Sequence, residues 1–203
     1  MRVIAGSAGG VRLAAPKRGV RPTMDRVKAA IFSSLGDAII GARVLDLFAG
    51  SGALGIEALS RGASAALFVE ADAHTKAVIE RNLAKTKLKG SVRNQDVFVF
   101  LQRGAGKGTF EIIFADPPYE KTKRGGGYTE TLLNNEALPR LLESGGMFVL
   151  EKRPEEALPE MNRWRIIRRK AYGATEVLFL SKSEITDRQL VCRSLGAGGS
   201  AIR

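Results

Sequence analysis

The chain has 203 residues, which suits one domain of ordinary size with a substantial core, and no apolar run is long enough to span a bilayer. Its residues are 44% apolar and 26% charged, a composition that argues against a disordered or fibrous protein. The net charge of +11 favours a nucleic-acid partner, because phosphate backbones reward Lys and Arg through counterion release. A single cysteine, Cys192, and an N-terminus without a signal-peptide pattern predict a cytoplasmic protein.

Residues 1–36 are predicted to form a basic hairpin and helix that lie on a larger domain. The segments "MRVIAG" and "VRLAAP" flank Ser7-Ala8-Gly9-Gly10, a pattern typical of a short hairpin. In "RPTMDRVKAAIFSSLG", Thr23 is a candidate N-cap, and apolar residues recur at helical spacing before Gly36. Residues 1–28 contain seven Lys or Arg and one acid, so more than half of the net charge lies here.

Short apolar runs alternate with helical stretches over residues 37–182, the predicted main domain. The runs are "RVLDLF", "AALFVE", "SVRNQD", "EIIFA" and "GGMFVLE", and the predicted helices cover 52–61, 73–86, 97–103 and 128–143. Uninterrupted apolar strands require helices on both faces, which predicts a doubly wound, mostly parallel α/β sheet. "WRIIRRKAYG" and "TEVLFLS" predict an antiparallel pair at one sheet edge, and residues 183–203 a frayed tail.

The stretch "VLDLFAGSGALG" places Gly50, Gly52 and Gly55 between the first strand and the next helix. Glycine here allows a tight turn and close approach of a ligand to the backbone. The pattern alone is typical of a dinucleotide site, with Glu70 at the end of the second strand binding a ribose. Asp46 instead favours a cationic ligand, and nothing downstream is typical of hydride transfer. S-adenosylmethionine therefore fits better than NAD.

S-adenosylmethionine carries a sulfonium and an ammonium group and no phosphate. Asp46 is predicted to face its methionine end, Glu70 its ribose and Asp96 its adenine amine. Each of these acids could instead cap the helix that follows its strand. The residues predicted to line the cofactor are Asp46, Phe48, Gly50, Ser51, Gly52, Glu70, Asp96, Val97 and Asp116.

The sequence "DPPY" at 116–119 directly follows an apolar strand. Two consecutive prolines end the strand and leave carbonyl acceptors without N–H donors. The Asp116 carboxylate and the Pro117 carbonyl could accept both protons of an exocyclic base amine, while Tyr119 stacks on the base. Alignment of that amine with a methyl donor is a matter of positioning, so neither a metal nor a covalent nucleophile is needed. The base must be single-stranded, looped or flipped out.

Basic residues are predicted to bind the phosphates of the nucleic acid. They lie in the N-terminal segment and in the glycine-rich loop "EKTKRGGGY", and the predicted substrate-binding residues are Arg21, Thr23, Arg26, Lys121, Lys123 and Arg124. "RWRIIRRK" is a further candidate, although alternate Arg residues on an edge strand equally fit a water-facing surface. His74 is predicted to be a surface or capping residue, and Trp164 a packing residue.

These motifs resemble those of the RsmD-type 16S rRNA guanine-N2 methyltransferases. The resemblance covers residues 1 to about 182 and rests on "RVIAGSAGGVRL", "RPTMDRVKAAIFSSL", "VLDLFAGSGALGIEALSRGA", "VEAD", "NQDVF", "FADPPY" and "YGATEVLFL". It implies a Rossmann-like, seven-stranded class I methyltransferase domain, with S-adenosylmethionine as methyl donor and S-adenosylhomocysteine as product. The implied target is one guanine of 16S rRNA in an assembled or assembling 30S particle, and one base per particle requires only a monomer.

The same resemblance assigns residues by motif. Thr23, Asp25 and Arg26 would belong to a segment that closes over the cofactor or the target. Asp46, Gly50, Gly52 and Glu70 would line the cofactor. Asp116, Pro117 and Tyr119 would hold the guanine amine.

Three other functions remain open on the sequence. An adenine-N6 DNA methyltransferase or a protein glutamine methylase also uses such a Pro-Pro corner. However, the chain shows no target-recognition domain of the usual size, and residue 116 is Asp rather than Asn. An RNA-binding assembly factor with a degenerate methylase fold would not need Asp46, Gly50, Gly52, Asp116 and Tyr119 intact. An NAD-dependent oxidoreductase would bind nicotinamide nucleotides and not S-adenosylmethionine.

Overall fold

The computed structural model describes residues 1–15, 25–103, 109–118 and 127–183. Its strands are β1 (Arg43–Leu47), β2 (Ala65–Glu70), β3 (Ser91–Asn94), β4 (Phe110–Ala115), β5 (Leu142–Lys152), β6 (Trp164–Tyr172) and β7 (Thr175–Lys182). Its helices are α1 (Asp25–Leu35), α2 (Ala53–Ser60), α3 (Ala73–Thr86), α4 (Val97–Gln102), α5 (Tyr128–Asn134) and α6 (Leu138–Leu141), with a 3₁₀ turn over Gly36–Ile39. Cys192 and the predicted tail beyond Ser183 lie outside the described residues.

All seven strands form one sheet in the order β3-β2-β1-β4-β5-β7-β6. Strands β1 to β5 run parallel, while β7 is antiparallel to both β5 and β6. The predicted mostly parallel sheet with an antiparallel edge pair is confirmed. The chain winds from β1 outward to β3 and then returns to place β4 on the other side of β1. Open α/β sheets bind ligands at such a reversal of strand order, outside the carboxyl ends of the strands.

Helices cover both faces of the sheet, so the central strands carry apolar side chains on either side. A first core includes Val44 and Phe114 and packs beneath α1, α2 and α3. A second core includes Leu45 and Ile113 and packs beneath α4, α5 and α6. Successive strand residues thus enter opposite cores. Among the described residues, no helix has the length and apolar character required to cross a membrane.

The predicted helix over 128–143 is wrong. Helix α5 ends at Asn134, the short α6 follows, and β5 begins at Leu142. The Asn135 side chain accepts hydrogen bonds at 2.9 Å from the backbone N–H groups of Ala137 and Leu138. Asparagine competes in this way with helical hydrogen bonding, and Pro139 supplies no N–H donor. Strand β5 begins three residues before the predicted "GGMFVLE", and the other predicted boundaries agree to within two residues, as where β3 ends at Asn94 rather than at residue 96.

The predicted N-terminal hairpin is confirmed by an antiparallel bridge between Arg2 and Arg12. It is seated tightly on α2, where the Ser7 N–H donates to the Ser60 carbonyl at 2.8 Å. Gly6 lies against the same carbonyl with φ +85°, and a Cβ atom there would lie 1.8 Å from the Ser60 oxygen. Only glycine fits this contact, because its conformation and its lack of a side chain are both required.

A buried ion pair holds the hairpin and α1 to α2. Glu57 accepts hydrogen bonds from the backbone N–H groups of Ile4 and Ala5 at 2.7 and 3.1 Å. Its carboxylate also lies 3.2 Å from Lys28 Nζ and 2.8 Å from Arg61 Nε. Burial lowers the pKa of Lys28, and the charge of Glu57 opposes that effect. The hairpin of residues 1–15 and α1 are therefore fixed to the main domain by charge as well as by packing.

Candidate active site

The glycine loop follows β1 and turns sharply at the carboxyl end of the sheet. Phe48, Gly50 and Gly52 have positive φ angles of 56°, 56° and 78°. The Gly52 N–H donates to the Ala49 carbonyl at 2.7 Å, which closes the turn. Phe48 is not a glycine, so its left-handed backbone is a strained conformation of the kind found at functional sites. The loop lies where the sequence predicts a cofactor to approach the backbone.

Asp46 lies in β1 beneath this loop and is 2% exposed. Its Oδ2 atom accepts a hydrogen bond from the Gly55 N–H at 2.9 Å. Burial raises the pKa of Asp46 to about 8, against the effect of the Gly55 hydrogen bond, and the nearby charges of Asp116 and Glu70 raise it further. The site therefore has a negative potential that a cationic ligand would relieve.

Glu70 is the last residue of β2, and its side chain links the glycine loop to the loop between β2 and α3 by hydrogen bonds. Its Oε2 atom accepts from the Gly50 N–H at 2.9 Å, and its Oε1 atom accepts from the Asp72 N–H at 2.9 Å. Glu70 does not cap the following helix, since Asp72 performs that role by accepting from the Thr75 N–H. A carboxylate offers about four lone-pair positions, so Glu70 retains acceptor capacity for a ligand hydroxyl while held in place.

Asp96 has the capping role that the sequence left as an alternative. It is the N-cap of α4 and accepts from the backbone N–H groups of Phe98 and Val99 at 2.9 and 3.0 Å. Its contact with an adenine amine stays a prediction. Val97 is 2% exposed and its side chain belongs to the second core, so a cofactor contact there would have to use its backbone.

The Pro-Pro corner begins where β4 ends at Ala115. The register places Ala115 between Leu47 of β1 and Leu150 of β5, at the centre of the sheet. Asp116 is half-buried, Pro117 is buried and Pro118 is exposed. Asp46 of β1 pairs with Phe114, two residues before Asp116, so the corner lies at the same carboxyl edge of the sheet as the glycine loop. Tyr119 lies outside the described residues.

Three aromatic rings form a cluster beside the glycine loop. Phe98 and Tyr128 stack with an interplanar angle of 8° and a centroid separation of 5.7 Å. Phe48 lies 6.1 Å from Phe98 and 5.4 Å from Tyr128. No motif in the sequence points to Phe98 or Tyr128, although both occupy the first turn of a helix that leads away from the carboxyl edge of the sheet. The cluster offers flat apolar surface to a ring system.

Only some of the remaining predicted residues lie in the part of the chain that the structure describes. Arg26 is exposed in the first turn of α1, and the other predicted substrate-binding residues, Arg21, Thr23, Lys121, Lys123 and Arg124, lie outside the described residues. Ser51 is buried, with its hydroxyl 3.7 Å from the Met1 sulfur. His74 is exposed near the start of α3, and buried Trp164 donates to the Leu133 carbonyl at 3.1 Å, which confirms its packing role.

The family model described as "Conserved hypothetical protein 95" matches residues 1–181. The chain belongs to this family. It is 37% identical over 183 residues to ribosomal RNA small subunit methyltransferase D of Escherichia coli K12, with 85% of each chain covered. It is 32% identical over 177 residues to the protein of the same name from Haemophilus influenzae, covering 85% of this chain and 89% of the relative. The resemblance read from the motifs is thereby confirmed.

Solved structures agree with this assignment. A hypothetical protein of Thermus thermophilus superposes with a TM-score of 0.76 at 31% identity, covering 89% of this chain and 99% of that one. The Thermus thermophilus 16S rRNA N2 G1207 methyltransferase RsmC, in complex with AdoMet and guanosine, gives a TM-score of 0.60 at 24% identity and covers 79% and 44%. The second likeness concerns the fold alone. The fold is that of the class I S-adenosylmethionine-dependent methyltransferases.

Proposed function

We propose that the protein transfers a methyl group from S-adenosylmethionine to the exocyclic N2 amine of a guanine in 16S rRNA. Membership of the family supports the methylation of ribosomal RNA. The observation that carries the choice of an amine is the Asp116-Pro117 corner, which follows β4 at the same edge of the sheet as the buried Asp46. This corner presents acceptors, so the group that it holds must donate hydrogen bonds.

The charges of the crevice fit this cofactor. Carboxylates from β1, β2 and β4 meet at one edge of the sheet, where a pyrophosphate would be repelled and a sulfonium or an ammonium attracted. Asp46 would act on the methionine end and Glu70 would accept from the ribose hydroxyls. The glycine loop would lie against the ligand without interposed side chains. When bound, the cofactor supplies an activated methyl group on a positively charged sulfur.

The acceptor amine is held by the chain itself. A guanine amine is a poor nucleophile because its lone pair is delocalised into the ring. The Asp116 carboxylate and the Pro117 carbonyl can each accept one of its protons, which fixes the nitrogen and favours a tetrahedral geometry. Once the carbon–nitrogen bond forms and the carbon–sulfur bond breaks, the nitrogen carries an extra proton, which the Asp116 carboxylate can receive.

The target guanine has to leave its stack to reach this corner. The cluster of Phe48, Phe98 and Tyr128 offers an apolar surface for a ring at the crevice. The positive charge of the chain suits an RNA substrate, with the 30S particle or its assembly intermediate as the proposed form. One target per particle needs only a monomer, and this substrate would place the protein in the cytoplasm.

Transfer of labelled methyl groups tests the proposal. The protein is incubated with labelled S-adenosylmethionine and, in parallel, with 30S particles, naked 16S rRNA, DNA and a translation release factor. Nucleosides or amino acids are then released and separated. The expected product is N2-methylguanosine from 16S rRNA. Label in N6-methyladenine of DNA or in glutamine would reassign the acceptor, and binding of NAD without binding of S-adenosylmethionine would overturn the proposal.

A further inference from the structure

A further buried carboxylate, Glu151, lies beside the Asp116 corner. It is the penultimate residue of β5 and is 4% exposed. The register of β4 and β5 pairs Ala115 with Leu150, so Asp116 and Glu151 are the next residues along two neighbouring strands. Neighbouring strands lie about 4.8 Å apart. The two acidic residues therefore lie side by side near the carboxyl ends of β4 and β5.

Strand alternation places Glu151 on the first-core face of the sheet. Glu151 pairs with Val177 and follows Val149 by two residues, and both valines belong to the first core. Asp46 pairs with Phe114, which belongs to the same core and precedes Asp116 by two residues. Since residues two apart on a strand share a face, Glu151 and Asp116 lie on the face of Asp46.

The sheet edge around Glu151 carries a concentration of negative charge. Its neighbour Lys152 is fully buried, and the charge of this lysine is balanced by Glu176 of β7 at 3.0 Å. Glu151 is added to an edge where the charges of Asp116 and Glu70 already act on Asp46. A hydrogen-bond donor of a bound ligand would stabilise a further carboxylate at this edge.

Guanine has a donor suited to this position. Its Watson–Crick edge carries the N1–H group directly beside the two protons of the N2 amine. If Asp116 and Pro117 hold the amine, an acceptor on the adjacent strand lies beside the N1–H. Adenine presents a lone pair at N1, which a carboxylate would repel.

We propose that Glu151 accepts the N1–H of the target guanine and selects guanine over purines that lack this donor. The inference rests on the function proposed above and names the residue that reads the base. Burial strengthens this discrimination, because a purine without the N1–H sets a lone pair against a buried carboxylate and water cannot readily enter to separate them. Asp116 then positions the reacting amine, while Glu151 identifies the ring that carries it.

The base 2-aminopurine separates these two roles, because it keeps the amine at C2 and has an acceptor at N1. The substrates are 30S particles reconstituted with 16S rRNA that carries either guanine or 2-aminopurine at the methylated position. For the wild-type protein we expect kcat/KM on 2-aminopurine to be lower by about 10²-fold or more. In Glu151→Gln the amide can donate a hydrogen bond to N1 of 2-aminopurine. The ratio of kcat/KM on guanine to kcat/KM on 2-aminopurine should therefore be at least tenfold smaller than in the wild-type protein. The absence of O6 from 2-aminopurine affects both proteins equally and cancels in the comparison.

Glu176→Gln is the matched control, because it makes the same change in a buried carboxylate at the same sheet edge. It should lower stability and keep the wild-type preference for guanine. Glu151→Asp keeps the carboxylate and should lose rate while still preferring guanine. Binding of S-adenosylhomocysteine, measured by calorimetry, shows that each variant is folded.

The outcomes separate the inference from the proposed function. If the wild-type protein does not methylate guanine N2, the proposed function fails and the inference fails with it. If guanine is methylated but the wild-type protein accepts 2-aminopurine equally well, only the role of Glu151 is overturned. An unchanged ratio in Glu151→Gln overturns it too. If Glu151→Gln does not fold, the role of Glu151 is tested by two other measurements. These are the preference of the wild-type protein for guanine over 2-aminopurine and the retention of that preference in Glu151→Asp.

Discussion

Glu57 in α2 and Asp46 in β1 are both buried carboxylates in the first core, but their surroundings differ. Glu57 is fully buried and meets two cations of the chain, with Lys28 Nζ at 3.2 Å and Arg61 Nε at 2.8 Å. Asp46 is 2% exposed and accepts one backbone hydrogen bond. Within the described residues, the charged groups that act on it are two further carboxylates, Asp116 and Glu70.

This difference distinguishes a structural charge from a functional one. The charge of Glu57 is balanced by cations of the chain itself, so the interactions of its carboxylate help to hold the hairpin and α1 against α2. Burial makes the charge of Asp46 costly and the neighbouring carboxylates add to that cost, and a pKa raised in this way at the ligand-binding edge of a sheet marks a candidate binding site. Removing groups from each region should therefore affect different properties of the protein.

The largest effect is expected for Lys28→Met, which removes one partner of the buried pair. Truncating one side of a buried pair costs about 3–5 kcal/mol, and because Glu57 keeps its contact with Arg61, we expect a loss near the lower end of that range. Urea unfolding followed by circular dichroism measures the loss. The control is Lys76→Met, which breaks an exposed pair with Glu80 on α3 and should cost no more than about 0.5 kcal/mol. A similar cost for both variants would show that the buried pair does not stabilise the hairpin.

Asp116→Ala should instead change activity. We expect methyl transfer to fall about 10²- to 10³-fold, as when a group aimed at the reacting atoms is removed. Affinity for S-adenosylhomocysteine should stay within about threefold of the wild-type value, because Asp116 acts on the acceptor. Steady-state transfer and calorimetric binding separate the two. Asp37→Ala, in the exposed 3₁₀ turn, is the control and should leave both unchanged. Retained turnover in Asp116→Ala would disprove the role of the corner.

A pair of glycines tests how tightly the hairpin is seated. Gly6 and Gly10 have nearly the same φ angle, +85° and +84°, so alanine imposes the same backbone strain of about 1–2 kcal/mol on either position. A Cβ at Gly10 meets nothing within 4 Å, whereas one at Gly6 meets the Ser60 carbonyl. Gly6→Ala should therefore cost a further 1–3 kcal/mol or so in thermal unfolding. Equal costs would mean that the hairpin moves away from α2 without loss.

The sequence predicts the elements that have local signals. Alternating apolar runs and helical stretches indicate the parallel sheet, and the glycine loop indicates its ligand-binding edge. The short signal at Asn135 was missed, because a side chain that accepts two backbone hydrogen bonds interrupts an otherwise helical pattern. The hydrogen bonds from Ile4 and Ala5 to Glu57 were also missed, since they join residues more than 50 positions apart and leave no periodic trace.

The candidate site could likewise be predicted only where the sequence carries a local signal. Residues at the carboxyl end of a strand or directly after it, such as Asp46, Glu70 and Asp116, could be assigned to one edge from topology alone. The aromatic cluster depends on helices α4 and α5 converging, which no local pattern of Phe98 or Tyr128 indicates. The roles assigned to the individual residues stay predictions that the variants above test.

The smallest effect concerns the pH dependence of cofactor binding. Burial raises the pKa of Asp46 to about 8, so the ligand-free protein holds this group largely protonated at pH 6 to 7 or so. A ligand ammonium that needs the carboxylate must displace that proton. Affinity for S-adenosylhomocysteine should therefore rise up to about tenfold per pH unit, or about 1.4 kcal/mol, and level off above pH 8 or so. Asp46→Asn should bind more weakly and without this slope, and titration calorimetry at several pH values measures both.

The stability of the ligand-free protein should move in the opposite direction over the same range. The folded state keeps a proton on Asp46 that the unfolded chain releases above its ordinary pKa of 3.8. The contribution of this group to stability is therefore fully present below about pH 4 and is lost as the pH rises through about 8. The unfolding free energy of the wild-type protein relative to Asp46→Asn should decline across this window, while ligand affinity increases. If the unfolding free energy and the ligand affinity both rose with pH, the proton would reside on another group. Asp46 would then not be the carboxyl group whose deprotonation is linked to cofactor binding.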